Sequence, residues 1–565
     1  MRKRVHRAVL AVSAGMLIVA LVSSGAALAG ATKPAPQILQ VSLPDRLVGC
    51  DPVGHVVSTS TAQVLSLVLP SAYTATAQGT VAQADSILDQ AEVVDLNPLT
   101  VDFQLKAGAV WADGTPISVK DFIATWHIGM EGKGVAAQQY RMIRSVRAGI
   151  SPGQIVVVFK KPTNSWQALF SPLLPQSATP AVLSGCSSPS ALIDLSAGPY
   201  EVATSSPSEV TLVKNPRWWG HQPMFDSVSI EAGAPINWPI STASATLAER
   251  EWLSSAELDG ITSQPSSDSH VDPSNRILSL NFDVRHGSTR SLSLRRAIIS
   301  LVNRQEIVAS TVNEVAPQIA VAGSSLLSQG QPNYSGPAPI PTNATTTTTE
   351  PAGSSAQVAT SSSTTTTIPS TRTHANTLLQ RAGYHLSRSR WISSGGTSLS
   401  LRLVVPLDDG WALEVAPILQ KQFAVDHVGI HLDFVASSRA VARELVTGRG
   451  SLGLMARPTD PFIDHAVAWF SVAPKTPISS LWSGFTSKVI VKLASQASMD
   501  MNPTTAEPLY QDIANEINLQ APSLPIFTEP LVTAWSSSIS NLTPNAYPPG
   551  TLADLLTWSP SAAAG

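Results

Sequence analysis

The fold is indicated first by residues 101–122, which read VDFQLKAGAVWADGTPISVKDF. Apolar and polar residues alternate over 101–105, and this period of two predicts a half-buried strand. An Asp-Gly turn follows, and then Ser118 with Asp121 three residues later, which together have the pattern of a capping box. A helix is therefore predicted over 119–130. Strand, turn and helix follow one another directly, so the chain mixes both kinds of secondary structure.

The same kinds of pattern recur along the rest of the chain. Short runs of β-branched and aromatic residues predict strands, and apolar residues at helical spacing predict core-facing helices. The strands are expected at 155–159, 210–213, 399–405 and 430–435, and the helical stripes at Leu294, Ala297, Ile298, Leu301 and Val302 and at Leu509, Tyr510, Ile513, Ala514 and Ile517. The regular alternation of a single parallel sheet is missing, so a mixed α/β chain is expected.

Length and charge narrow the class of protein. A chain of 565 residues is too long for one hydrophobic core, since single cores stop growing at about 250–300 residues. Lys and Arg total 36 against 39 Asp and Glu, so no basic field exists to bind nucleic acid. Charged residues make up 13% of the chain, against about 25% in an average domain. This low charge is compatible with an extracytoplasmic protein.

The N-terminus has the pattern of a secretory signal. Basic residues precede an apolar run over 8–22, and Ala-Leu-Ala at 27–29 supplies the small residues of a cleavage site. Residues 1–29 are therefore predicted to be a signal peptide. The alternative is an uncleaved anchor, because 8–29 is long enough to span a bilayer. No cysteine lies near the cleavage site, so we expect an exported protein that is not a lipoprotein.

Cys50 and Cys186 are the two cysteines of the chain. An oxidising compartment would permit a disulfide between them. It would close a loop of about 136 residues and contribute roughly 4–5 kcal/mol by chain entropy. Two buried free thiols are the alternative, and the spacing does not decide. No further cysteine or histidine pattern suggests a metal site, and no metal or cofactor is expected.

A segment rich in Ser and Thr interrupts the second half of the chain. Between 341 and 373, 19 of 33 residues are Ser or Thr. Such a stretch cannot bury enough apolar surface to offset its ordering entropy. Residues 330–373 are therefore predicted to be a disordered surface insertion.

Motifs of catalysis are not found in the sequence. The glycines around Lys133 match a dinucleotide-type pattern on paper, but they follow a predicted helix where phosphate binding requires a preceding strand. No G-x-S-x-G, H-E-x-x-H or P-loop pattern occurs. No catalytic residue is predicted, and an exported hydrolase stays the weakest alternative because triads assemble in space rather than in sequence.

A series of short motifs, in a fixed order, carries a family resemblance. They are Trp111–Pro116, Ser118–Phe122, Gly198–Tyr200, Leu212–Gly220, Leu280–Phe282, Leu294–Ala297, Asn303–Ile307, Ala375–Tyr384 and Leu524–Phe527. Together they resemble the extracellular solute-binding proteins, family 5, which serve oligopeptide, dipeptide and nickel importers. The details look closest to the actinobacterial branch, some of whose members regulate envelope synthesis rather than import peptides.

The resemblance implies a two-lobed periplasmic-binding-protein-like α/β fold of type II, with the three-domain oligopeptide-binding architecture. The first lobe would be discontinuous, and crossover hinge strands would join it to the second. The implied parts are lobe I at 30–65, 190–280 and 527–565, a small accessory domain at 66–189, and lobe II at 281–526. Ligand would close the lobes by hinge motion.

The resemblance also implies a function. The chain would be the extracytoplasmic component of an ABC importer, a monomer and not an enzyme, that captures a peptide or another small solute and delivers it to a membrane permease. The main alternative is a non-transporting protein that keeps the fold and regulates cell-envelope assembly.

The stretch LMARPTDP, which begins at Leu454, departs from the family pattern. Many peptide-binding members have W-x-x-D-[YN]-x-[DE]-P there, and the first Asp neutralises the amine of the ligand. Leu454 replaces the Trp and Arg457 replaces this Asp, and an arginine attracts a carboxylate or phosphate. The alternative is an internal pair between Arg457 and Asp460 or Asp464. With Trp411, an aromatic that could line a cleft, Leu454, Arg457 and Asp460 are the candidate ligand-binding residues.

Overall fold

The structure is a computed structural model, and it describes residues 36–49, 51–53, 57–84, 86–132, 135–179, 196–233, 245–264, 266–334, 336, 371–471 and 484–560. The elements below belong to the unit Gln37–Gly565. The predicted signal peptide at 1–29 and the pair Cys50 and Cys186 lie outside the described residues. Within these ranges, no helix is both long and apolar enough to cross a membrane.

The described strands are numbered along the chain. They are β1 (Ile38–Leu43), β2 (Tyr73–Ala75), β3 (Val81–Gln83), β4 (Leu88–Leu96), β5 (Leu99–Leu105), β6 (Ile143–Ala148), β7 (Gln154–Phe159), β8 (Tyr200–Ser205), β9 (Glu209–Lys214), β10 (Ser227–Ala232), β11 (Ala245–Arg250), β12 (Ser267–Phe282), β13 (Tyr384–Ser387), β14 (Arg390–Ser393), β15 (Ser400–Pro406), β16 (Gly429–Val435), β17 (Leu452–Pro458), β18 (Ser523–Ser536), β19 (Ile539–Ser540) and β20 (Ser559–Pro560). The four runs predicted as strands all fall on strands.

The described helices are numbered in the same way. They are α1 (Thr59–Val68), α2 (Val119–Glu131), α3 (Val135–Met142), α4 (Ser255–Thr262), α5 (Leu292–Leu301), α6 (Arg304–Ser310), α7 (Thr371–Arg381), α8 (Gly410–Val425), α9 (Ser438–Val446), α10 (Ile463–Ala468), α11 (Lys488–Met499) and α12 (Pro503–Gln520). Helix α2 begins where the capping box predicts. Both hydrogen bonds of the box form, since Ser118 accepts from the first turn and Asp121 accepts from the Ser118 N–H.

One mixed sheet of ten described strands runs through the molecule. Its order is β16-β15-β17-β12-β18-β11-β1-β10-β9-β8. We call β11, β1, β10, β9 and β8 the first half of the sheet, and β18, β12, β17, β15 and β16 the second half. Strand β1 lies parallel to both of its neighbours, and so does β15. The halves meet where β18 pairs antiparallel with β11, with Leu247 opposite Trp535.

Each half of the sheet packs into its own hydrophobic core. The first core includes Leu39 of β1, Tyr200 of β8 and Trp535 of β18. The second includes Leu280 of β12 and Phe527 of β18. Strand β18 is buried at all 14 positions, so it contributes to both cores although it lies near the end of the chain.

A smaller antiparallel sheet, β4-β5-β7-β6, joins the first core. Phe103 of β5 contacts Phe122 of α2 with ring centroids 5.7 Å apart, and Phe170 at 5.8 Å. This sheet lies within 66–189, the range predicted as an accessory domain. The stretch 101–122, which predicts β5 and α2, therefore also supplies the aromatic contacts between this sheet and α2.

The edges of the predicted insertion at 330–373 are corrected by the structure. Gln331 is 5% exposed and its side-chain amide donates to the carbonyl of Asp460 at 2.8 Å. The Tyr334 hydroxyl accepts from the N–H of Gly323 at 2.8 Å. Helix α7 already begins at Thr371. Polar Ser and Thr composition does not reveal these anchoring contacts, and residues 337–370 lie outside the described residues.

Candidate ligand-binding site

Strands β12 and β18 of the second half of the sheet lose register at a bulge in β12. Pro273 pairs with Pro530 and Ile277 pairs with Thr528, so residues 274–276 stand opposite the single residue Glu529. Such an insertion bends a strand and redirects its side chains. We call this bulge, Ser274–Arg276, the junction.

The junction holds the end of β17. Asn275 accepts from the Thr459 N–H at 2.6 Å through its carbonyl oxygen. The same oxygen accepts from the Thr459 hydroxyl at 3.0 Å, and the Asn275 amide donates to the Thr459 carbonyl at 3.0 Å. Three hydrogen bonds clasp Thr459. The junction therefore also positions the nearby residues Arg457, two positions before Thr459, and Asp460, one position after it.

Arg457 is a buried guanidinium for which the described residues supply no ionic partner. Arg457 lies on β17, where it pairs with Ile277 of β12, and it is 3% exposed. One terminal nitrogen donates to the Ser325 carbonyl at 3.0 Å, and the guanidinium carbon lies 4.7 Å from the ring centre of Phe470. Its Nε has no hydrogen-bond partner, and no carboxylate among the described residues lies within ion-pairing distance. Burial lowers the pKa of Arg457 to about 10.

Asp460 and Asp464 are both engaged elsewhere, so the structure contradicts the internal pairs weighed for Arg457. Asp460 forms an ion pair with His465 and accepts from the Phe462 N–H at 2.7 Å. Asp464 accepts from the hydroxyl of Tyr510 and from that of Ser165 at 3.0 Å. Burial disfavours charge on His465, but Asp460 outweighs it and raises the pKa of the imidazole.

Leu454 and Trp411 are core residues in this structure. Leu454 is fully buried opposite Leu280, because β17 is an interior strand between β12 and β15. Trp411 is 2% exposed, its indole donates to the Glu251 carbonyl at 2.7 Å, and its ring lies edge-on to Phe527 at 6.0 Å. Neither side chain faces open space, so the placement of these two candidates at a cleft surface is corrected.

A pocket of about 390 Å³ lies beside the end of β17. Its walls come from the 164–167 segment on one side and from residues 461–464, α12 and the 327–333 loop on the other. Three carboxylates, Asp464, Asp500 and Glu507, line it together with Trp166 and Phe462. The two walls contact each other through polar groups, since the Asn164 amide donates to the Tyr510 hydroxyl at 3.0 Å. The pocket is therefore bounded by segments that precede β12 in the sequence and by segments that follow it.

A larger cavity of about 550 Å³ is less suited to be the site. It is lined by the ends of α5 and α8 and contains no residue of the first half of the sheet. Its arginines are already engaged, since Arg304 donates to two carbonyls at 2.9 Å and Arg372 pairs with Asp426 at 2.9 Å. We therefore take Arg457 as the candidate binding residue and the pocket of about 390 Å³, whose described lining does not include Arg457, as the candidate cavity.

Sequence reasoning missed a charged cluster on the other side of the junction. The Arg276 Nε donates to Glu529 at 2.7 Å, and its terminal nitrogens lie 3.6 Å from Glu251 and 3.9 Å from Asp409. We call these four residues the junction cluster. They come from β12, β18, the segment after β11 and the residue before α8, so no local motif could have revealed them.

Burial dominates the titration of the junction cluster. It raises the pKa of Glu251 to about 7 and that of Glu529 to about 8, although Arg276 acts in the opposite direction on both. Burial also disfavours the charge of Arg276, but Glu251, Glu529 and Asp409 outweigh it and raise the pKa of the guanidinium. The cluster therefore holds carboxyl groups that change charge near neutral pH.

Two halves of one sheet, joined by long crossing strands with a polar site at the joint, define a two-lobed solute-binding protein. The family model described as "Bacterial extracellular solute-binding proteins, family 5 Middle" matches residues 85–473, and the chain belongs to this family. The resemblance stated from the motifs is confirmed.

Curated relatives match part of the chain. Oligopeptide-binding protein OppA of Mycobacterium tuberculosis is 30% identical over 183 residues, 30% of each chain. The probable monoacyl phosphatidylinositol tetramannoside-binding protein LpqW of the same species is 30% identical over 169 residues, 28% of this chain and 27% of LpqW. The match thus spans less than a third of the length of these relatives.

Solved structures confirm the fold over nearly the whole chain. The periplasmic EDTA-binding protein EppA superposes with a TM-score of 0.76 at 18% identity and covers 94% of this chain and 98% of its own. The oligopeptide-binding protein AppA from Bacillus subtilis, in complex with a nonapeptide, gives 0.70 at 14% identity and covers 94% and 100%. The fold is the type II periplasmic-binding-protein fold, as the motifs predicted.

Proposed function

We propose that this protein is the extracytoplasmic substrate-binding component of an ABC importer. It captures a small solute between its lobes, as a monomer and without catalysing a reaction, and delivers the solute to a membrane permease. Family membership supports solute binding, and the relatives named for oligopeptides make a peptide the first choice of ligand.

Arg457 is the observation that supports a more specific ligand. An isolated buried charge costs several kcal/mol unless it finds a partner. In the described part of the chain, the Nε of Arg457 has no acceptor and its guanidinium has no carboxylate partner. A carboxylate or phosphate of the solute would supply both the missing hydrogen bond and the missing charge. We therefore propose an acidic solute, such as a peptide bound through a carboxylate.

The other candidate residues take different roles in this proposal. Asp460 stands next to the clasped Thr459 and holds His465 through an ion pair. Leu454 and Trp411 support β17 and α8 from the core instead of touching the solute.

Mass spectrometry of small molecules released from the purified, denatured protein tests the proposal. We expect molecules with a carboxylate or phosphate from the wild type and from Arg402→Ala, a control at an exposed arginine of the same sheet that pairs with Asp433. Arg457→Ala should lose them, with affinity in calorimetric titration weakened by about 2–5 kcal/mol. Neutral or cationic cargo that persists in Arg457→Ala would contradict an acidic ligand.

Import is tested separately from ligand class. Cells that lack the gene should lose uptake of the identified solute, and the wild-type gene should restore it. Unchanged uptake would contradict the importer role even if the acidic ligand were found. Nothing in the described residues favours the alternative of a non-transporting envelope regulator.

A further inference from the structure

Neighbouring residues of the junction contact two different groups of residues. Asn275 clasps Thr459 at the end of β17, beside Arg457. The next residue, Arg276, points its guanidinium into the junction cluster. Because both residues sit in one three-residue bulge, a displacement of the Arg276 backbone also displaces Asn275 and its hydrogen bonds to Thr459.

The junction cluster has more negative than positive groups. Glu529 is 1% exposed and Asp409 is 5% exposed, and one carboxylate oxygen of each finds no hydrogen-bond partner in the described part of the chain. Further carboxyl groups interact electrostatically with members of the cluster, namely Asp45, Asp408 and Glu249. With a single arginine among them, the cluster cannot be neutral unless carboxyl groups take up protons.

A metal ion does not explain this excess of carboxyl groups. Over the described ranges, no group of three or more His, Cys, Asp or Glu side chains is arranged to hold a metal. The unbonded oxygen of Glu529 is instead suited to carry a proton, because a protonated carboxyl is neutral and tolerates burial.

We propose that Arg276 is a positioning residue for the ligand site, and that protons taken up by the junction cluster hold it in place. When Glu251 and Glu529 are protonated, fewer buried negative charges surround Arg276 and the bulge is tight. When both ionise, buried like charges repel one another, the bulge loosens, and the clasp of Asn275 on Thr459 weakens.

The direction of the pH effect follows from the raised pKa values of Glu251, about 7, and Glu529, about 8. Both lie above the ordinary value of 4.5, so the intact cluster binds protons that the opened cluster releases. The stabilisation is present at low pH and is lost as pH rises from about 4.5 through about 8. The end of β17 is therefore held more firmly in acid than in mild base.

This inference rests on the proposed function for the identity of the ligand site, but its test needs no ligand. Hydrogen exchange measured by mass spectrometry on the ligand-free full chain tests it, at about pH 5.5 and about pH 8.5, after correction for the intrinsic exchange rate. In peptides that contain Thr459, the wild type should lose protection at the higher pH. The loss should be about tenfold for each unit of raised pKa that opening relaxes.

Variants identify the groups responsible. Glu529→Gln and Glu251→Gln mimic the protonated form and should each reduce the loss of protection at Thr459 to less than half. Asp272→Asn is the matched control, since Asp272 lies on β12 and has a pKa raised by burial but does not face Arg276. It should behave as the wild type does.

Two results would overturn the proposal. One is wild-type protection at Thr459 that changes less than about twofold between the two pH values. The other is an Asp272→Asn variant that flattens the pH dependence as much as the cluster variants do. If Glu529→Gln fails to fold, Glu251→Gln decides, because the Glu251 contact with Arg276 is the longer one and its loss is milder.

Discussion

Replacing Arg457 by methionine should stabilise the ligand-free protein. Methionine keeps an unbranched apolar stem of similar length and removes the charge. In the wild type this charge is 3% exposed, lacks an ionic partner among the described residues and leaves Nε without an acceptor. A binding residue that waits for an anion should lower the stability of the empty protein, and removing it should recover that loss.

The size of the effect can be worked from the structure. Lowering the pKa of Arg457 from 12.5 to about 10 corresponds to about 3 kcal/mol of disfavoured charge. Methionine also loses the hydrogen bond to the Ser325 carbonyl and the contact with the Phe470 ring, together about 1–2 kcal/mol. The net gain should be about 1–2 kcal/mol.

Arg295→Met is the matched control. Burial lowers the pKa of Arg295 to about 10 as well, but its guanidinium donates to four carbonyls, those of Thr289, Arg290, Gln520 and Ala521, at 2.7–3.0 Å. Removing it leaves these acceptors unpaired and should cost about 2–4 kcal/mol.

Scanning calorimetry of both ligand-free variants separates the cases. For a chain of this length, 1 kcal/mol moves the thermal midpoint by about 1 °C. Arg457→Met should melt slightly above the wild type, and Arg295→Met a few degrees below it. If Arg457→Met loses as much as Arg295→Met, the Arg457 guanidinium is fully satisfied in the empty protein and the reasoning for an acidic ligand fails.

Three further predictions concern other parts of the chain. Tyr510→Phe removes the hydroxyl that donates to Asp464 and should lower stability by about 1–2 kcal/mol, measured by calorimetry; an unchanged midpoint would contradict a structural role of this contact. Deleting residues 337–370, inside the corrected edges of the insertion, should leave the midpoint nearly unchanged because loop length enters stability only logarithmically, and a large loss would show that the segment packs. If Cys50 and Cys186 form a disulfide, intact mass after alkylation should show no free thiol before reduction, and two alkylated cysteines would exclude the bond.

Local patterns predicted five of the strands and three of the helices described above. The box of Ser118 and Asp121 fixed the start of α2, because both hydrogen bonds depend on residues three positions apart. The stripe that begins at Leu294 is buried as expected, and so is Ile513 of the later stripe. These predictions depend on neighbours along the chain, and the sequence contains that information directly.

The site could be predicted only in part. Arg457 stood out because it reverses the charge expected at its position, but whether it had an internal partner depended on where Asp460 and Asp464 turn. Leu454 and Trp411 sit at positions that suggested a cleft, yet packing on both faces of an interior strand covers Leu454. Contacts between distant segments decide these outcomes, as they do for the junction cluster.

The path of β18 has a consequence for the order in which the chain folds. Residues 38–250 supply most of the first core, but that core also needs Trp535 and Trp558, which lie far later in the sequence. Contacts this distant in sequence form slowly, since a long loop must close before they are gained. The first core therefore stays incomplete until these later residues have been synthesised. A chain that cannot finish folding early stays unfolded for longer and can pass through a translocation channel. This suits a protein that we propose to be exported.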